Sequence, residues 1–295
     1  MLFLLTLLTL LQQERKPDMK TPIETFSNWV RNGKDDGMEK NHFESVSKMF
    51  DIIVNSKGKF SIIDAGCGNG WAVRYIGKHP NCKSSTGIDG SNLMIKKAKK
   101  LDSNNQYFHG DLLKWKPVNK VDAVISMEVL YYFENPLNVL RNIFNNWLNK
   151  NGKFVMGIDF YYENPDCHDW QEKTGVSIMN LMKINEWEKL FAANTIHYIN
   201  DTIDDIDATW VGTETAACTS DTALCQDYSK HWSEMRAFAM ALNFNSMKTI
   251  SDGILETVYD YLGTAPVFPG DGDVAAYRAN LLLARDLLQS AYSFS

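Results

Sequence analysis

Apolar and polar positions alternate most regularly between residues 60 and 159. Phe60-Ser-Ile-Ile-Asp64 is a short apolar run that ends in a glycine-rich turn, and Trp71 to Gly77 carries apolar residues at helical spacing. Ser84 to Asp89 reads as a second strand. Leu93, Ile95, Ala98 and Leu101 fit a helix behind it, with Ser91 as N-cap. Gln106 to His109 is a short third strand and Val121 to Met127 a strongly apolar fourth. Pro136 to Leu148 predicts a helix with Leu137, Leu140, Ile143, Phe144, Trp147 and Leu148 on one side. Asn151-Gly152 stops it, and Lys153 to Asp159 is a fifth strand. Strands separated by helices predict an α/β fold, a mostly parallel sheet with helices on both faces. Right-handed crossovers then place ligands at the carboxyl ends of the strands.

The flanks read differently. Residues 20–48 carry Gly33 and Gly37 around a charged stretch, ahead of Phe43, Val46, Met49 and Phe50 at helical spacing, which suggests a helical lid. Met1 to Leu11 is almost wholly apolar, but as a helix it rises only about 16 Å, half of a hydrocarbon core. No stable membrane span is expected. A signal or anchor is the alternative to a cytoplasmic protein, although no basic residue precedes the run and no small-residue cleavage site follows it. Residues 200–228 are acidic and rich in Thr, Ala and Asp, and read as a linker. Helical patterns follow over residues 231–242, 247–262 and 274–292, the last with Leu281, Ala284, Leu288 and Ala291 on one face. They suit a helical extension that packs on the sheet edge, forms a homodimer or caps the acceptor. The expected division is an apolar segment (1–19), an N-terminal helical lid (20–58), the sheet domain (59–200) and an acidic linker with a helical extension (201–295).

Composition changes this picture little. The 295 residues include 44% hydrophobic and 22% charged ones, ordinary for a folded chain. The net charge of −6 argues against nucleic acid as a partner, since phosphates need cations. Part of that charge gathers at Asp201, Asp204, Asp205, Asp207, Glu214, Asp221 and Asp227, with no Lys or Arg before Lys230. The five cysteines show no Cys-x-x-Cys pair, and the six histidines no ligand spacing, so neither a disulfide framework nor a metal site is readable.

The strongest chemical signal is Asp64-Ala-Gly66-Cys-Gly68-Asn-Gly70, after an apolar strand and opening a helix. Such glycines let the chain turn sharply and let a ligand approach the backbone. A dinucleotide fingerprint is Gly-x-Gly-x-x-Gly; here the third glycine comes one residue early and Trp71 stands where it is needed. Asp89 ends the second strand, where a carboxylate can accept both ribose hydroxyls. Asp89 and Asp111 are also ordinary turn or cap residues. Asp111-Leu112 follows the third strand, and Ser126-Met127-Glu128-Val129 leaves the fourth.

With these motifs, residues ~20 to ~200 resemble a class I, Rossmann-like S-adenosylmethionine-dependent methyltransferase. They are most similar to a small-molecule-type group carrying Gly-x-x-Glu-Gly-Met-Glu-Lys-x-His near the N-terminus. Here that reads Gly33-Lys-Asp-Asp36-Gly37-Met38-Glu39-Lys40-Asn-His42, with Asp36 in place of Glu, and Gly157-Ile-Asp-Phe160 further on. The resemblance implies donor contacts from Asp64, Gly66, Gly68, Gly70, Asp89 and Asp111, with Leu112 and Met127 as apolar neighbours. It also implies S-adenosylhomocysteine as product. The family's core closes with sixth and seventh strands, for which His197-Tyr-Ile199 and Thr209-Trp-Val211 are the candidates.

A methyl transfer needs a base only if the acceptor carries a proton. Glu128, His168 and His42 are the candidates. Each has a plain alternative: Glu128 as a helix cap or a partner of the donor's amino group, His168 as a solvated loop residue, His42 on an exposed helix face. Tyr131, Tyr132, Tyr161, Tyr162 and Trp170 gather near the expected mouth, where they could hold a planar acceptor or an amine. The expected function is methyl transfer to a small-molecule acceptor. The alternatives are a non-catalytic binding or scaffolding protein of the same fold and a nicotinamide-dependent enzyme.

Overall fold

The computed structural model describes residues 19–54, 58–210, 223–243, 248–270 and 272–294. The apolar run at residues 1–11 lies outside them. Strands β1 (Phe60–Ala65), β2 (Cys82–Asp89), β3 (Gln106–His109), β4 (Val121–Met127) and β5 (Leu148–Gly157) form one sheet in the order β3-β2-β1-β4-β5. Every pairing is parallel. The order reverses between β1 and β4, so the crevice above their carboxyl ends is where an open α/β sheet takes its ligand.

The central strands are apolar on both sides because both faces are covered. Along β1, Ile62 packs with Val46, Met49, Phe50 and Ile53 of an N-terminal helix, α2 (Met38–Val54), and with Trp71 and Ile76 of α3 (Trp71–Gly77). Its neighbour Ile63 faces the other way, into a larger core with Val139, Leu140 and Ile143. These last belong to α5 (Pro136–Asn142) and to the wider turn over residues 143–147 that continues it. Asn135 caps α5 and Pro136 opens it, the expected chemistry of a helix start. Between β2 and β3 lies α4 (Asn92–Leu101), capped by the Ser91 hydroxyl as its sequence predicts.

The chain after β5 is helical. A short α6 (Trp170–Thr174) precedes α7 (Ile184–Trp210), α8 (Ala223–Ala241), α9 (Asp252–Leu262) and α10 (Val274–Tyr292). The candidates for a sixth and seventh strand are therefore overturned over the described residues: 197–199 and 209–210 are turns of α7. The acidic stretch from residue 200 is not a linker at its start either, since α7 runs to Trp210, and α8 begins at Ala223 rather than 231. The reason is periodicity. Buried Ala192, Thr195, Tyr198, Thr202, Ile206 and Trp210 recur at three- and four-residue steps. The short apolar triplets were pieces of that stripe, and the aspartates occupy its other faces.

These helices share the sheet's core. The Phe144 ring lies 4.0 Å from Phe238 of α8 and 5.8 Å from Phe154 of β5. Trp232 donates its indole N–H to the Tyr277 hydroxyl at 2.7 Å, and Arg278 pairs with Asp207 through both oxygens at 2.5 Å, tying α10 to α7. Cys67, Cys82 and Cys167 are free thiols, whereas Cys225 is disulfide-bonded, which the cysteine spacing did not foretell. No helix among the described residues is long and apolar enough to cross a membrane.

Candidate functional site

The turn after β1 holds Gly66, Gly68 and Gly70 at φ values of 84°, 52° and 76°. Side chains rarely adopt this left-handed region. Space is short as well. A Cβ on Gly66 would stand 2.3 Å from a Val129 methyl, and one on Gly70 would stand 2.5 Å from the Tyr107 ring. The N–H groups of Gly66 and Cys67 donate to the Ile88 carbonyl at 2.8 and 3.0 Å, locking the turn to β2.

Asp89 completes this cradle. Its carboxylate accepts the Gly68 N–H at 2.9 Å and the Ser91 N–H at 2.7 Å. Each oxygen keeps a free lone pair for a diol. Burial pushes its pKa up, and the two N–H groups hold it down. Asp64 lies just inside, 7% exposed, with no hydrogen bond to its carboxyl among the described residues. Burial, then the charge of Asp89, raises its pKa to about 7.

Asp111 stays exposed beyond β3 and accepts the Leu113 N–H at 2.9 Å, which closes a turn. Leu112 is buried, and its carbonyl accepts from Asn142 of α5 at 2.8 Å. Met127 takes another direction: it packs on the α2 and α3 face, where its sulfur and that of Met49 close over Gly157.

At the end of β4, Glu128 is one of two non-glycine residues with positive φ among the described residues, at 58°. Its N–H donates to the Gly157 carbonyl at 2.9 Å. Its carboxylate accepts the Tyr131 hydroxyl at 2.7 Å and the backbone N–H of Asp159. Burial, with Asp159 nearby, raises the Glu128 pKa to about 7. Tyr132 is pushed up to about 12 by burial. His42 of α2 turns inward, and its buried Nδ1 has no hydrogen-bond partner. Burial lowers its pKa, against the pull of Asp159. Glu128 and His42 thus meet around Asp159. His168 does not join them: it is exposed, and Nε2 is spent on the Tyr162 carbonyl of its own loop at 2.7 Å.

The N-terminal segment crosses above the strand ends. Helix α1 (Pro22–Asn32) starts in a capping box of Thr21 and Glu24. Its Ser27 hydroxyl meets that of Ser91 at 2.8 Å, and its Phe26 ring lies 5.2 Å from Tyr132, so it spans from the end of β2 to the end of β4. Lys20 pairs with the chain at 175–177. A single turn over Lys34–Gly37 then buries Asp35, which takes Lys97 at 2.7 Å and Asn69 of the glycine turn at 3.0 Å. The Met38 methyl reaches over Gly68. Asp159, Asp35, Lys97 and Asn69 escaped the sequence reading. Of these, Asp159, Asp35 and Asn69 stood within the motifs Gly157 to Phe160, Gly33 to His42 and Asp64 to Gly70, and Lys97 carried no signal.

Comparison with known proteins agrees with this geometry. Residues 63–156 match the family described as methyltransferase domain. A malonyl-(acyl-carrier protein) O-methyltransferase of Halalkalibacterium halodurans is 29% identical over 156 residues, covering 46% of this chain and 57% of that protein. A putative methyltransferase of Invertebrate iridescent virus 6 is 30% identical over 156 residues, covering 52% of this chain and 55% of that one. The chain thus spans little more than half the length of these two relatives. A putative methyltransferase of Haloferax volcanii, solved in complex with the Trm112 methyltransferase activator, has 26% identity and a TM-score of 0.50, covering 56% of this chain and 73% of that one. Residues 63–156 are a methyltransferase domain of the class I, Rossmann-like family.

Proposed function

We propose that the protein transfers a methyl group from S-adenosylmethionine to a small-molecule acceptor by in-line displacement. The observation that carries this most is the joint between Gly68 and Asp89: a left-handed glycine turn bonded to a carboxylate with lone pairs to spare. That pair suits a nucleoside whose amino-acid portion lies along the turn and whose ribose hydroxyls face Asp89. Asp111 and Leu112, which follow β3, suit the adenine, and the glycine turn would offer the donor backbone once the Met38 methyl over Gly68 moves aside. The donor, when bound, supplies an electrophilic methyl on a sulfonium and leaves as S-adenosylhomocysteine.

The remaining task of the protein is alignment and exclusion of water. α1 and the turn holding Asp35 suit that role as a lid, since they touch both the cradle and the β4 end. Met38 over Gly68 marks the path along which the lid would shift as the donor enters. Met127, facing α2, is set aside as a donor contact. Calorimetric titration with S-adenosylmethionine and, in parallel, with a nicotinamide nucleotide tests the reading. One site for the former and none for the latter is expected. Binding of the nicotinamide nucleotide alone would replace the methyl-transfer reading with the oxidoreductase one.

A further inference from the structure

Resting on the methyl-transfer reading, we infer that the acceptor is an amine that enters as an ammonium cation, is held by Glu128 and Asp159 among aromatic faces, and gives up its proton to Glu128. Two carboxyl groups converge where β4 and β5 end, joined by the hydrogen bond from the Asp159 N–H to Glu128. No Lys or Arg pairs with either among the described residues. The groups that face Glu128 are Tyr131, Tyr132, Asp159 and Cys167, with His42 beyond Asp159, and none of them is a fixed cation. Inward-turned His42 is biased toward its neutral form.

A carboxylate or phosphate acceptor would therefore meet like charge from half-buried Glu128 and from Asp159 without a clamp. An ammonium would meet opposite charge instead. It would also meet the rings of Tyr131, Tyr132, Phe26 and Phe160, which lie within 5.2 Å of one another in sequence from ring to ring. The proton bookkeeping closes. Ionised Glu128 takes one proton from the ammonium, giving a neutral amine and a neutral carboxyl. The amine lone pair forms the new carbon–nitrogen bond as the donor's carbon–sulfur bond breaks, and the products are a methylated ammonium and a neutral thioether. A base with its pKa near neutrality suits such a transfer. Tyr131, whose hydroxyl donates to Glu128, is a positioning residue in this scheme.

The test uses the full chain loaded with S-adenosylhomocysteine, so that acceptor binding is read without turnover. Three matched probes are titrated by calorimetry: phenethylamine, 2-phenylethanol and 3-phenylpropanoate. The amine is expected to bind at least about tenfold more tightly than the carboxylate. Asp159→Asn, at an exposed position, is expected to shrink that preference while leaving S-adenosylhomocysteine binding intact, and Glu128→Gln to shrink it further. Equal or tighter binding of the carboxylate would overturn the inference. So would failure of all three probes to bind the loaded protein, or a preference unchanged in both variants. Failure of S-adenosylhomocysteine itself to bind would instead strike the methyl-transfer reading.

Discussion

The two sides of the strand-end crevice are built by different means. Beside β1 and β2 the cradle is backbone: three left-handed glycines, two N–H groups on the Ile88 carbonyl, and two more on Asp89. Beside β4 and β5 the site is made of side chains from separate parts of the chain, His42, Glu128, Tyr131 and Asp159. A backbone cradle accepts a constant ligand and tolerates almost no substitution. A side-chain pocket can change its ligand by changing residues. That contrast fits a shared methyl donor and an acceptor particular to this chain.

The largest effect should come from breaking the backbone side. Gly66→Ala forces a Cβ into Val129 at a left-handed position and is expected to cost about 3 kcal/mol in denaturant unfolding, with donor binding lost. Asp89→Ala removes the anchor of Gly68 and, with it, the proposed acceptor of the ribose diol. Titration should show the donor bound at least about tenfold more weakly. A retained affinity would separate Asp89 from the ribose.

Lys97→Ala probes the joint between cradle and lid. It leaves buried Asp35 with Asn69 but without its cation, at an expected cost of about 2 kcal/mol. Amide exchange should accelerate at residues 33–38 and stay slow in β1. Smallest and most diagnostic is the pH dependence. Asp64 and Glu128 both sit near 7, above their ordinary 3.8 and 4.5. A carboxyl raised in the fold adds stability below its unfolded pKa and loses it as pH rises through the folded value. The melting temperature of the free protein should therefore fall between about pH 4 and pH 7. Asp64→Asn should remove part of that fall, and an unchanged slope would contradict the burial assigned to Asp64.

The backbone side was the legible side, because its signals are local. An apolar strand, Gly66 and Gly68 and a capped helix at Ser91 each announce themselves within a few residues. The parallel pairing of the sheet followed from the alternation of strands and helices, whereas its strand order did not. α7 was misread for the same reason in reverse: residues 197–199 look like a strand only when cut from a helix 27 residues long. The joint of Asp35 with Asn69 and Lys97 links positions 34 and 62 residues apart, and no local pattern specifies such a pairing. Asp159 sat in plain view, but only the turn of β5 toward Glu128 gives it a partner.

The central claim is that the glycine turn and Asp89 hold S-adenosylmethionine. Amide chemical shifts followed during a titration with S-adenosylhomocysteine test it most directly. Saturable changes are expected, concentrated at Gly66, Gly68, Ser91, Leu112 and Glu128. Saturation with no change at Gly66, Gly68 or Ser91, or no change anywhere, would contradict it.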